Sequence, residues 1–192
     1  ATSGTTPAGT YPITITGSPL NKTTSFNLVV NQQTLTISSF TVTPNSGTAP
    51  LNNVNLDATI GGNALGTVNY YFYCNWTGSG SADQVFSNVT QTSKSIKCDY
   101  ATGGTKTARV RVERGSAPSA EATQQVTVSW PTLTLSCSVS PSATTVGNTV
   151  TWTATVTGGS GTHTYSWSGD DLSGATASVQ KQYTSPGGKN GQ

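Results

Sequence analysis

The chain has 192 residues, only 8% of them charged, a formal net charge of +2 and no methionine. Typical soluble domains are about a quarter charged; here Thr, Ser, Asn and Gly stand where Lys and Glu usually would. So weak a positive balance argues against nucleic acid or anionic membranes as partners, and no apolar run reaches the length of a membrane-spanning segment.

Thr and Val favour strands, while Gly, Asn and Ser punctuate turns, so a nearly all-β chain is expected. No stretch combines helical periodicity with a capping box. The N-terminus lacks a basic flank followed by an apolar core, so no signal peptide is read there, which does not argue for the cytosol.

In chain order, residues 1–33 read as a single hairpin. Tyr11, Ile13 and Ile15 alternate with Thr10, Thr14 and Thr16; after a turn at "GSPLNK", Phe26, Leu28 and Val30 form a second apolar face. An isolated hairpin is marginally stable at best. Residues 34–130 carry strands at "LTISSFTVTP", "NNVNLDATI", "TVNYYFYCNW", "SKSIKCDY", "TKTARVRVERG" and "EATQQVTVSW", separated by turns such as "PNSG" and "ATGG". That many short strands in under about 100 residues indicates an immunoglobulin-like sandwich. Residues 131–192 repeat the pattern through "LTLSCSVSP", "GNTVTWTATVTGG", "HTYSWSG" and "ASVQKQYTSPGG". The two strands that follow "CDYATGGTK" in the middle piece have no counterpart here, so core-facing Trp152 and Trp167 and bare strand edges are expected to be exposed.

Val68, Tyr70, Phe72, Cys74 and Trp76 are read as one strand face, and Ile96, Cys98 and Tyr100 as another. Both cysteines then point into the core, where a Cys74–Cys98 disulfide would contribute about 3 kcal/mol and imply an oxidising, extracellular setting. Two buried free thiols are the alternative; a metal is a poor third reading, because His163 is distant and there is no C-x-x-C.

The sequons Asn21-Lys-Thr, Asn75-Trp-Thr and Asn88-Val-Thr are candidate glycosylation sites, Asn75 beside the outward stripe of Tyr71 and Tyr73. That stripe could stack on a sugar or a neighbouring subunit, or be a partly covered sheet face. Arg109, Arg111 and Glu113 read as a solvated charged face. No G-x-S-x-G, H-E-x-x-H or P-loop is present. Asp170 and Asp171 are adjacent and make a poor carboxylate pair, and His163 fits an inward or rim position. No enzyme activity, cofactor or metal is expected.

On "FTVTPNSGTAP", "YYFYCNWTGSGS", "KCDYATGGTKTARVRVERG" and "CSVSPSATTVGNTVTWTATVTGGSGTHTYSWSGDDLSG", the chain resembles bacterial and archaeal extracellular repeats of the polycystic-kidney-disease (PKD) type and related Ig-like domains. "PAGTYPITITG…FNLVV" resembles the tail of a different Ig-like repeat. In place of the family's W-D-F-G-D-G the chain has "YSWSGDD". The resemblance implies tandem Ig-like/PKD-like β-sandwiches, with incomplete domains at both ends. It also implies that a cysteine placed like Cys137 pairs with one in the final strand; here Cys137 is free, bonded to another chain, or orphaned by truncation.

The expected function is that of an extracellular or cell-surface structural protein, a filament or stalk subunit whose copies join head-to-tail by strand complementation. Tyr11, Ile13, Ile15, Phe26, Leu28 and Val30 would form the donor hairpin; Val150, Trp152, Ala154, Val156, Tyr165 and Trp167 would line the acceptor. The alternative is a carbohydrate-binding or adhesive module of a larger secreted surface protein or hydrolase, with glycans as partners.

Overall fold

The computed structural model describes residues 6–192, so the first five residues of the 1–33 piece lie outside the described residues. The fold is all-β and contains several sheets. Two compact units are present, one running to Val128 and the other spanning Ser129–Gln192.

Within the first unit, β1 (Gly9–Gly17) and β2 (Lys22–Val30) form a two-stranded antiparallel sheet. The register Gly9↔Val30, Tyr11↔Leu28, Ile13↔Phe26 places the alternating apolar residues of both strands on one face, as the period of two requires. The threonines of β1 pair with Val29, Ser25 and Thr23 on the other.

Residues beyond the hairpin form two sheets around a common core. One holds β3 (Leu35–Thr43), β5 (Leu51–Gly62) and β8 (Ser93–Tyr100) in the order β3-β5-β8. The other adds β4 (Ser46–Thr48), β6 (Val68–Tyr73), β7 (Gln84–Val89), β9 (Gly104–Arg114) and β10 (Ala120–Ser129) in the order β4-β10-β9-β6-β7. Inward residues alternate along each strand: Val54, Leu56 and Ala58 from one sheet meet Tyr70, Phe72, Val110 and Val112 from the other, all fully buried. Strands β4 and β7 were not among those read from the sequence.

The Cys74–Cys98 disulfide is formed, with Cα atoms 5.7 Å apart, at the edge of this core. Trp76 departs from the expected inner face. Strand β6 ends at Tyr73, and the chain turns at Cys74, whose N–H donates to Asp83. The turn swings the Trp76 indole to the outer side, where it packs edge-on against Tyr73.

The second unit has one three-stranded sheet, β11 (Thr134–Ser140), β12 (Thr149–Thr157) and β13 (Ser178–Gln182), in the order β11-β12-β13. Its geometry repeats that of β3-β5-β8. Gly62 closes β5 at φ +100°, and a Cβ there would stand 2.3 Å from the Thr34 carbonyl oxygen; Gly158, after β12 at φ +77°, would meet Thr132 in the same way at 1.9 Å. Only glycine tolerates both the backbone and the close approach. "HTYSWSG" does not form a regular strand: it makes two isolated bridges, Trp167↔Gly174 and Gly169↔Gly191.

Candidate interaction surfaces

Three surfaces hold the residues singled out in the sequence. The first is the hairpin face. Ile13, Ile15, Phe26 and Leu28 are exposed, at 36%, 55%, 53% and 36%, and Tyr11 and Val30 are half-buried. Among the described residues neither strand has a partner other than its sibling, so both outer edges offer unpaired backbone groups. Lys22 is the one charged residue in residues 6–33. Asn21 sits at the tip with φ +49°.

The second surface is one face of the β11-β12-β13 sheet. The register Leu135↔Val156, Cys137↔Ala154, Val139↔Trp152↔Val179 puts these side chains together. Of the six expected acceptor residues, Val150, Ala154 and Trp167 are buried by the chain itself, and Trp152, Val156 and Tyr165 are half-buried. The expected exposure of Trp167 is therefore corrected: it is 5% exposed. It packs with Ala154 and Leu172 and with half-buried Trp152, Tyr165 and Val179. The last residues return to the adjoining segment: Ser168 and Gln192 exchange two backbone hydrogen bonds of 2.8 Å and Asn190 N–H donates to Asp170 Oδ2 at 2.8 Å. The indole N–H of Trp167 donates to the Thr176 carbonyl at 2.8 Å, and Gly191 packs against the Trp152 ring.

What stays open on this face is the row along β11. Leu133 and Leu135 are 58% and 65% exposed, and Cys137 is a free, exposed thiol. They border a groove of about 460 Å³ with Val156, His163 and Tyr165. His163 Nε2 lies 3.1 Å from the Gly158 carbonyl, which fixes the ring at the rim. A second groove of about 470 Å³ contains Val139, Trp152 and Tyr183; Trp152 Nε1 and the Tyr183 hydroxyl have no hydrogen-bond partner among the described residues. Leu133 and Leu135 were missed as site residues. The alternation of "LTLSC" was visible, but which strand of the face stays uncovered depends on the tail.

The third surface is the outer face of the five-stranded sheet. Cross-strand pairs Tyr71↔Arg111 and Tyr73↔Arg109 stack cations on rings: the Arg109 guanidinium lies 4.0 Å over Trp76 and 5.0 Å over Tyr73, and that of Arg111 lies 5.6 Å over Tyr71. Arg109 pairs with Glu121 at 2.6 Å and Arg111 pairs with Glu113. The Tyr71 hydroxyl donates to Glu113 at 3.0 Å; that hydrogen bond first, and burial second, raise its pKa. Of the expected solvated charged face, Arg111 and Glu113 keep side chains 37% and 36% exposed, whereas Arg109 departs from it, with a side chain only 11% exposed. Asn75 and Asn88 are exposed, but each amide oxygen is engaged, Asn75 Oδ1 by Thr107 N–H and Asn88 Oδ1 by the Thr67 hydroxyl.

Among the described residues no group of three or more His, Cys, Asp or Glu could hold a metal ion, and no helix is long and apolar enough to cross a membrane. No protein-family model matches the chain, and no curated protein matches it.

Proposed function

We propose that this chain is a non-enzymatic structural segment of an extracellular filament or stalk, built from tandem Ig-like sandwiches related to PKD-type repeats and joined head-to-tail by strand complementation. The observation that carries the reading is the hairpin: four large apolar side chains stand exposed on one face, with both strand edges unpaired among the described residues. A surface of that kind is an interaction site or an aggregation hazard. The disulfide supports an oxidising setting, and the short connections "VVNQQTLT" and "VSWPTLTL" lack the Gly-Ser composition of flexible linkers.

The glycan-binding alternative draws less support, because the faces of Tyr71, Tyr73 and Trp76 are occupied by arginines of the same sheet. Sedimentation and negative-stain microscopy across a concentration series test the proposal. Rods that lengthen with concentration are expected; a monomer at every concentration contradicts it.

A further inference from the structure

The β1–β2 hairpin and the last two strands of the sandwich share one register. β9 and β10 pair as Gly104↔Val128, Lys106↔Val126 and Ala108↔Gln124; β1 and β2 pair as Gly9↔Val30, Tyr11↔Leu28 and Ile13↔Phe26. In both, a glycine opens the first strand opposite a valine near the end of the second, and the second strand leads directly into a Thr-Leu-Thr segment, Thr34–Thr36 or Thr132–Thr134. On the inward face of β9, Ala108, Val110 and Val112 are fully buried and Lys106 is half-buried; β9 packs on β3, and the Gln124 side-chain amide donates to the Phe40 carbonyl.

β11 is the counterpart of β3, and it is the strand left bare. On β3, Leu35 is 9% exposed, Ile37 half-buried and Phe40 7% exposed, whereas their counterparts Leu133 and Leu135 are 58% and 65% exposed and Cys137 is exposed. A polar group also differs between the units, through a partner that lies after β6 and not on β9 or β10. Tyr100, two residues past Cys98 on β8, donates its hydroxyl to the Cys74 carbonyl at 2.8 Å; Tyr183 follows β13 at the corresponding place and its hydroxyl has no partner among the described residues.

We infer that the β1–β2 hairpin of a second copy of this chain docks over β11, in the place that β9–β10 takes over β3. This rests on the assembly proposed above and specifies its contact. Tyr11, Ile13, Phe26 and Leu28 cover Leu133, Leu135 and Cys137; the hairpin face carries a single charge, Lys22 opposite Gly17 at the tip end of the strand, and the β11 row carries none. Two nine-residue strands cover a patch about 30 Å long and about 10 Å wide. Counted over both partners that is roughly 600 Å², well below the roughly 1,200 Å² of stable complexes, so the contact belongs to the weak, concentration-dependent class.

The experiment uses the whole chain and two variants at exposed positions, Phe26→Ser and Leu135→Ser. Amide chemical shifts are recorded between about 20 µM and about 1 mM, the range in which a contact of this size associates. Shifts confined to residues 10–30 and 132–139 are expected. Each variant alone should weaken self-association at least about tenfold, the cost of a central anchor. An equimolar mixture of the two should form a capped 1:1 pair, because one retains the groove and the other the hairpin.

Shift changes that map elsewhere, hairpin contacts that do not depend on concentration, or a mixture no better than its components would overturn the inference. A 1:1 pair from the mixture, with no rods in the wild type, would keep this docking and end the filament reading. Rods that persist in Phe26→Ser would keep the filament and end this docking.

Discussion

Removing the Cys74–Cys98 cross-link should cost the first unit a large part of its stability. The cysteines are 24 residues apart in sequence, for which the chain-entropy relation gives about 3.5 kcal/mol at 25 °C. Cys98 is 2% exposed, so Cys74→Ala with Cys98→Ala is preferred to serine, which would bury an unpartnered hydroxyl. For a domain of about 100 residues this corresponds to a fall in Tm of about 15–25 °C. Calorimetry, together with urea unfolding followed by tryptophan fluorescence, reads the change; the variant should still fold, because the core of Tyr70, Phe72, Val110 and Val112 is intact. A thiol assay should count one reactive group, Cys137, in both proteins. A loss below about 1 kcal/mol would refute the argument that the cross-link acts by restricting the unfolded chain.

Arg109→Ala should cost about 1.5–3 kcal/mol, since it removes a shielded ion pair and a stack on two rings. Arg111→Ala, with a side chain 37% exposed, should cost under about 1 kcal/mol; equal losses in urea denaturation would show that the Trp76–Tyr73 stack carries no weight. The Tyr100 hydroxyl is pushed up to about 12 by burial, with the Asp83 carboxylate adding to it. The neutral form is therefore favoured in the folded state: its contribution is complete below pH 10, the ordinary tyrosine value, and is lost as pH rises from there to about 12. Tyr100→Phe should flatten the fall in stability over that window; an unchanged alkaline slope would contradict the assignment.

How much of this was legible in the sequence depended on how local the determinant was. Period-two alternation placed Tyr11, Ile13, Ile15, Phe26, Leu28 and Val30 on faces that the register brings together, and it pointed Cys74 and Cys98 at each other. It failed at Trp76, where one turn after Tyr73 reverses the face. It also failed at Arg109, whose shielding needs Tyr73 and Trp76 at the end of β6 together with Glu121 on β10. β7 hides behind a register shift between Val68 and Tyr70, which breaks simple alternation across the pair. The burial of Trp167 was invisible because it depends on an irregular segment that brings Leu172 against it and bridges it to Gly174, an arrangement held by backbone hydrogen bonds that side-chain pattern does not encode.

Hydrogen exchange of the β1–β2 amides, measured at low and high protein concentration, tests the complementation account most directly. Outer-edge amides that are fast in dilute solution and become protected as concentration rises, in step with the residues of β11, are predicted. Protection that is already complete in the dilute monomer, or absent at the highest concentration, would contradict it.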